Sequence, residues 1–142
     1  MVLDMPPGAG DAQPTMAQQL PLQGAVIVST PQDLALIDAR KGFKMLNNVD
    51  VPVLGIIENM SIFVCPHCGE ASHIFGHGGA QEDARRLGVP FLGAIPLHMT
   101  IREQSDAGTP VVVSEPEDPH AKQYRDIALR IAAVLFPGED ED

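Results

Sequence analysis

Short apolar runs alternate with helix-like segments along this chain, and that alternation restricts the fold more than any other feature. Gly24-Ala-Val-Ile-Val-Ser-Thr30 is an unbroken apolar run, the pattern of a strand buried on both faces. Thr30-Pro31-Gln32-Asp33 then supplies an N-cap, a proline at the first helical position and an acid in the first turn. The helix it opens is predicted to run to about Asn48. Val51 to Ile57 reads as the next strand, ending at Glu58-Asn59-Met60, and Val89 to Ile95 repeats its flavour almost residue for residue. Between them lie a cysteine-bearing loop and a helix from Ala80 to Leu87, closed by Gly88. A short helix from Thr100 to about Ala107, a strand at Pro110 to Val113 and a helix from Pro119 to Phe136 complete the pattern. In that last helix Tyr124, Ile127, Ala128, Ile131 and Leu135 form one apolar stripe for core packing. Buried strands alternating with helices mean βαβ units, hence an α/β fold with a mostly parallel sheet and helices on both faces.

With 142 residues, 44% of them hydrophobic, the chain amounts to one domain with a real core. No apolar run approaches the roughly 20 residues of a membrane span, and no secretory signal is visible at the N-terminus. A net charge of −10 argues against nucleic acid and anionic membrane surfaces as partners. Residues 137–142 read as a short acidic tail beyond a domain spanning 1–136.

Cys65-Pro-His-Cys68 contains both cysteines of the chain. A C-x-x-C pair without signs of export favours a reducing cytosol and a metal or redox role over a disulfide framework. Two thiolates are half of a tetrahedral site. His73 and His77 follow at close to zinc-knuckle spacing, with His67 as a further donor, so one chain can supply a closed Zn²⁺ site. A second copy of the chain can instead supply the same cysteine pair, giving four thiolates across a two-fold axis. The spacing leaves both completions open.

Asp4-Met-Pro-Pro-Gly-Ala-Gly-Asp11, Ser29-Thr-Pro-Gln-Asp33, Glu58-Asn-Met-Ser61, Val64-Cys-Pro-His-Cys68 and Ile74-Phe-Gly-His-Gly-Gly79 occur in that order. Pro90-Phe-Leu-Gly-Ala-Ile-Pro96 and Ile101-Arg-Glu-Gln-Ser-Asp-Ala-Gly108 follow them. The ordered set resembles the C-terminal half of the Mrp/ApbC family of iron–sulfur cluster carrier ATPases, over about residues 1–136. The resemblance implies a P-loop NTPase-like (Rossmann-like) fold, here N-terminally truncated. The family's P-loop lies upstream of the matched region, and no G-x-x-x-x-G-K-[ST] occurs in these residues. The expectation is that residues 1–142 alone neither bind ATP usefully nor hydrolyse it.

The resemblance also assigns roles. Asp4 and Gly8 match a switch segment, in which a strand-end carboxylate holds Mg²⁺ through water and a glycine N–H reaches the γ-phosphate; the plain alternative is a Pro/Gly-rich strand exit. Asp38 matches a position near the nucleotide, with a solvated helix face as its alternative, and Asp33 is a helix N-terminal acid favoured by the dipole. Asn59 matches the position that reads adenine and Pro96 the backbone lining its pocket; a turn cap and a strand end explain them equally simply. Cys65 and Cys68 match the pair that holds a [4Fe–4S] cluster between two subunits. The implied function is a cytoplasmic, homodimeric cluster carrier that passes its cluster to apo iron–sulfur proteins and uses ATP.

Overall fold

The chain runs β1 (Ala25–Ser29), α1 (Asp33–Asn48), β2 (Val53–Val64), β3 (Ala71–Ser72), α2 (Gly79–Leu87), β4 (Phe91–Leu97), α3 (Met99–Asp106), α4 (Val111–Ser114) and α5 (Pro119–Leu135). This computed structural model describes residues 2, 22–31, 33–65, 67–72 and 79–136, except for the side chains of residues 33–35 and 38. Asp4, Gly8, His73, His77 and the acidic tail lie outside the described residues.

β2 is the centre of the sheet, parallel to β1 on one side and to β4 on the other. Successive crossovers that keep moving one way across a sheet place their helices on the same face. Accordingly α1 and α2 share a face, where Leu36, Ala39 and Leu46 of α1 and Ala80 and Ala84 of α2 close over Ile27 and Ile56. Those α1 residues recur at helical spacing, so one stripe is buried while the opposite side stays wet. After β4 the chain crosses to the other face. There Ile127 of α5 is buried against Leu92 and Ile95, with Tyr124 and Ile131 beside it; burying such a side chain contributes about 2 kcal/mol.

Local chemistry sets the helix ends. α1 stops where Asp50 takes a left-handed φ of 59°, letting Val51 N–H reach Leu46 O at 3.0 Å. Gly88, with φ 74°, ends α2 the same way, as the sequence predicts. Asp118 caps α5 by accepting from His120 N–H at 2.8 Å, with Pro119 opening the helix.

Four details differ from the sequence reading. β1 is not buried on both faces: Val28 is 61% exposed, while its neighbours Ile27 and Ser29 are buried. α1 begins at Asp33 rather than after a Thr30 cap, and Thr30 Oγ1 has no hydrogen-bond partner among the described residues. Ala128 is exposed, so Ala121 takes its place in the buried stripe of α5. The predicted strand at Pro110–Val113 is instead the single-turn helix α4. Its three valines favour a strand, but Pro110 O accepts from both Val113 N–H and Ser114 N–H at 2.9 Å, closing a turn. Only Val111 is buried by that turn. Tertiary docking of one side chain outweighs the propensity of three.

Candidate functional site

β2 does not stop at Ile57. It continues through Glu58-Asn59-Met60 to Val64, and this extension builds the site. At the carboxyl edge of the sheet, where open α/β sheets bind ligands, Glu58 stands opposite Ser29 and Ala94, and Asn59 opposite Ile95. The ladder then slips: β2 resumes its pairing with β4 only at Phe63, opposite Leu97. Met60 sits in that bulge with a left-handed φ of 55°, and Asn59 Oδ1 accepts from Met60 N–H at 3.0 Å. Pro96, within β4 and buried, faces the bulge. A proline cannot donate to the ladder, so the strand opposite it is free to bulge. The fold thus brings Asn59 and Pro96 to one edge. It describes Asp38 only as backbone within α1, and Asp4 and Gly8 not at all.

Beyond the bulge, Phe63 and Val64 pair antiparallel with Ser72 and Ala71. The cysteines therefore occupy the turn of a short hairpin rather than an open loop. Cys65 N–H donates to Glu70 O and Gly69 N–H to Cys65 O, both at 2.9 Å. Gly69 has φ 74°, a conformation the turn needs and glycine adopts at no steric cost. The backbone N–H groups of Cys68 and His67 lie in the same turn as the Cys65 thiol. Those two donors, with the Cys68 thiol, hold the Cys65 thiol below its ordinary pKa. Cys65 is half-buried and Cys68 exposed, and both are free thiols. No third histidine, cysteine or carboxylate joins them in a metal-sized group among the described residues.

Two contacts carry no motif signal. Glu58 is 5% exposed and accepts from Ala80 N–H at 3.1 Å, at the start of α2. Its sequence signal is an acid directly after the apolar run that ends at Ile57. Arg40 of α1 and Asp83 of α2 form a two-pronged ion pair; nothing in their spacing announces it.

A family model described as ParA, NUBPL iron-transfer P-loop NTPase, matches residues 1–132. The chain belongs to this family. Among its NUBPL-type relatives, the iron–sulfur cluster transfer protein NUBPL of Dictyostelium discoideum is 55% identical over 135 residues, covering 95% of this chain and 42% of the relative. The iron–sulfur cluster carrier protein of Salmonella typhimurium is 54% identical over 145 residues, covering 98% of this chain and 39% of its own length. Among solved structures, the nucleotide-binding protein of Archaeoglobus fulgidus in complex with ADP superposes with a TM-score of 0.68. It is 41% identical, over 83% of this chain and 47% of that one. The chain therefore spans about two fifths of the curated relatives it matches, and the P-loop NTPase-like fold is as the sequence predicts. No helix among the described residues is long and apolar enough to cross a membrane.

Proposed function

We propose that this chain acts in iron–sulfur cluster transfer, holding a [4Fe–4S] cluster as cargo on Cys65 and Cys68 together with the same pair from a second copy. The observation that carries this reading is the hairpin that places both free thiols, Cys65 and Cys68, in one short turn, with neighbouring amides lowering the Cys65 thiol pKa. Amide donors favour the thiolate, which is the form that ligates iron. The exposed position of Cys68 leaves the cargo open to a recipient apo-protein. Two thiols per chain are half of the four a cluster takes, and an isologous dimer doubles them. Free thiols of this kind belong in a reducing compartment such as the cytosol.

ATP with Mg²⁺ is the second half of the proposal. Asn59 and Pro96 share the carboxyl edge of the sheet, where they can border the base, with Asp38 on α1 as a further contact. Asp4 and Gly8 are assigned to the Mg²⁺ and γ-phosphate. The phosphate-binding lysines of this reading belong to a P-loop, a motif these 142 residues do not contain.

Anaerobic reconstitution with iron and sulfide, followed by native mass spectrometry, tests the cluster. The expected product is a dimer carrying one cluster, with visible absorption lost in Cys65→Ser and in Cys68→Ser. A monomer that saturates itself with one zinc ion overturns the reading. For the nucleotide half, ATPase activity is expected when this chain is joined to a P-loop-bearing segment, and is expected to fall in Asp4→Asn.

A further inference from the structure

Cys65 and Cys68 share one closed turn. Gly69 N–H donates to Cys65 O and Cys65 N–H to Glu70 O, both at 2.9 Å. The first of these bonds links the fifth residue of the turn to the first, as in a single turn of α-helix. At its base, Val64 pairs with Ala71 and Phe63 with Ser72. In a helical turn, positions three apart are neighbours with Cβ atoms about 5–6 Å from each other, and a disulfide needs about 3.5–4.5 Å. A slight tightening of the turn closes that gap. The two sulfurs differ in access, Cys65 being half-buried and Cys68 exposed. The Cys68 thiol is one of the hydrogen-bonding groups that act on the Cys65 sulfur.

We propose that Cys65 and Cys68 are also a thiol-oxidation site: a low-molecular-weight disulfide, of the class of oxidised glutathione, converts them to a disulfide within one chain. In the first step the exposed Cys68 Sγ attacks the small disulfide. A mixed disulfide forms, the S–S bond of the reagent breaks, and one small thiol leaves. In the second step Cys65 Sγ, in the same turn, attacks Cys68 Sγ. The Cys65–Cys68 bond forms, the mixed disulfide breaks, and a second small thiol leaves. The two cysteines give up two electrons and two protons, which the two small thiols carry away. The consequence for metal rests on the reading that the pair ligates it: ligation takes thiolates, so the oxidised turn refuses cargo until a thiol reductant reopens it.

The test treats the full chain, reduced and free of metal, with oxidised glutathione, then blocks remaining thiols by alkylation and reads intact and peptide masses. Wild type is expected to lose two hydrogens, to keep no glutathione, and to yield one peptide with Cys65 and Cys68 joined. On a non-reducing gel it is expected to run as a single chain, and dithiothreitol is expected to restore both thiols. Cys65→Ser is expected to stop at the mixed disulfide, with glutathione held on Cys68. Cys68→Ser is expected to take up glutathione about tenfold more slowly than Cys65→Ser, because its remaining thiol is less accessible. Wild type that retains glutathione, or that links chain to chain, shows that the turn cannot close on itself, and the proposal is wrong. Co²⁺ uptake, read from thiolate-to-cobalt absorption, is expected in the reduced chain and absent from the oxidised one; equal uptake by both also overturns the proposal. Should the reduced chain fail to take up Co²⁺, the metal reading fails separately, and the masses still decide whether the disulfide forms.

Discussion

Arg40 grips Asp83 with two donors, Nε to Oδ2 at 3.0 Å and Nη2 to Oδ1 at 2.7 Å, and so ties α1 to α2 across the face that covers β2. The Asp83 side chain is 4% exposed and that of Arg40 46% exposed. Asp83 therefore depends on this pairing for its burial, whereas Arg40 still reaches water. Replacing Arg40 by Met is expected to cost about 1.5–3 kcal/mol in urea unfolding, the range for a charge-assisted hydrogen-bonded pair. Adding Asp83→Leu to that variant is expected to recover part of the loss, because it removes the stranded carboxylate.

Met60 tests the bulge. A non-glycine residue at φ 55° stores backbone strain, and a β-branched residue tolerates it least. Thermal or urea unfolding should place Met60→Val about 1–2 kcal/mol below Met60→Gly. Equal stabilities would mean that β2 can straighten past Pro96 without penalty.

β2 also shows what could be read from the residues and what could not. Its buried portion through Ile57 was legible because apolar side chains on both faces leave a continuous run. Its continuation to Val64 was not: Glu58, Asn59 and Ser61 break that run, and polar residues at a strand end look like an exit. The hairpin partner Ala71–Ser72 is two residues long and exposed, too short for any periodic signal. The valines of α4 misled in the opposite direction, since their strand preference is real and only the docking of Val111 overrides it. At the site, the cysteines and the Asn59–Pro96 edge followed from motif and strand ends. The Glu58–Ala80 contact joins positions whose proximity depends on the finished sheet, and no local pattern encodes it.

Gly55 tests the register that the site depends on. A Cβ placed there would lie 2.5 Å from Leu92 Cγ and 2.7 Å from Pro90 O. Pro90 O also accepts from Ile56 N–H at 3.0 Å, so it cannot retreat without loosening the β2–β4 pairing. Gly55→Ala is expected to destabilise the fold by about 1–3 kcal/mol in denaturant titration, the usual cost of overpacking.

Cys65 provides the pH dependence. Its thiol is held below the ordinary value chiefly by the Cys68 and His67 amides, so folding favours the thiolate. The sign follows from linkage: the stabilisation is complete above the unfolded thiol pKa and is lost as pH falls through the lower folded value. Alkylation of Cys65, followed by peptide mass spectrometry, should show its rate rising at lower pH in the native protein than in urea. Coincident profiles in the two states would show that the amides do not act on the sulfur.

Asn59 and Cys65 are six positions apart on one extended segment. Fully pleated backbone would span roughly 20 Å over that stretch, and the left-handed Met60 bulge between them bends it. Under the proposed function, a signal between nucleotide and cargo would need neither domain motion nor a chain of side chains. A change of twist at the Met60 bulge would be enough to tilt the cysteine turn.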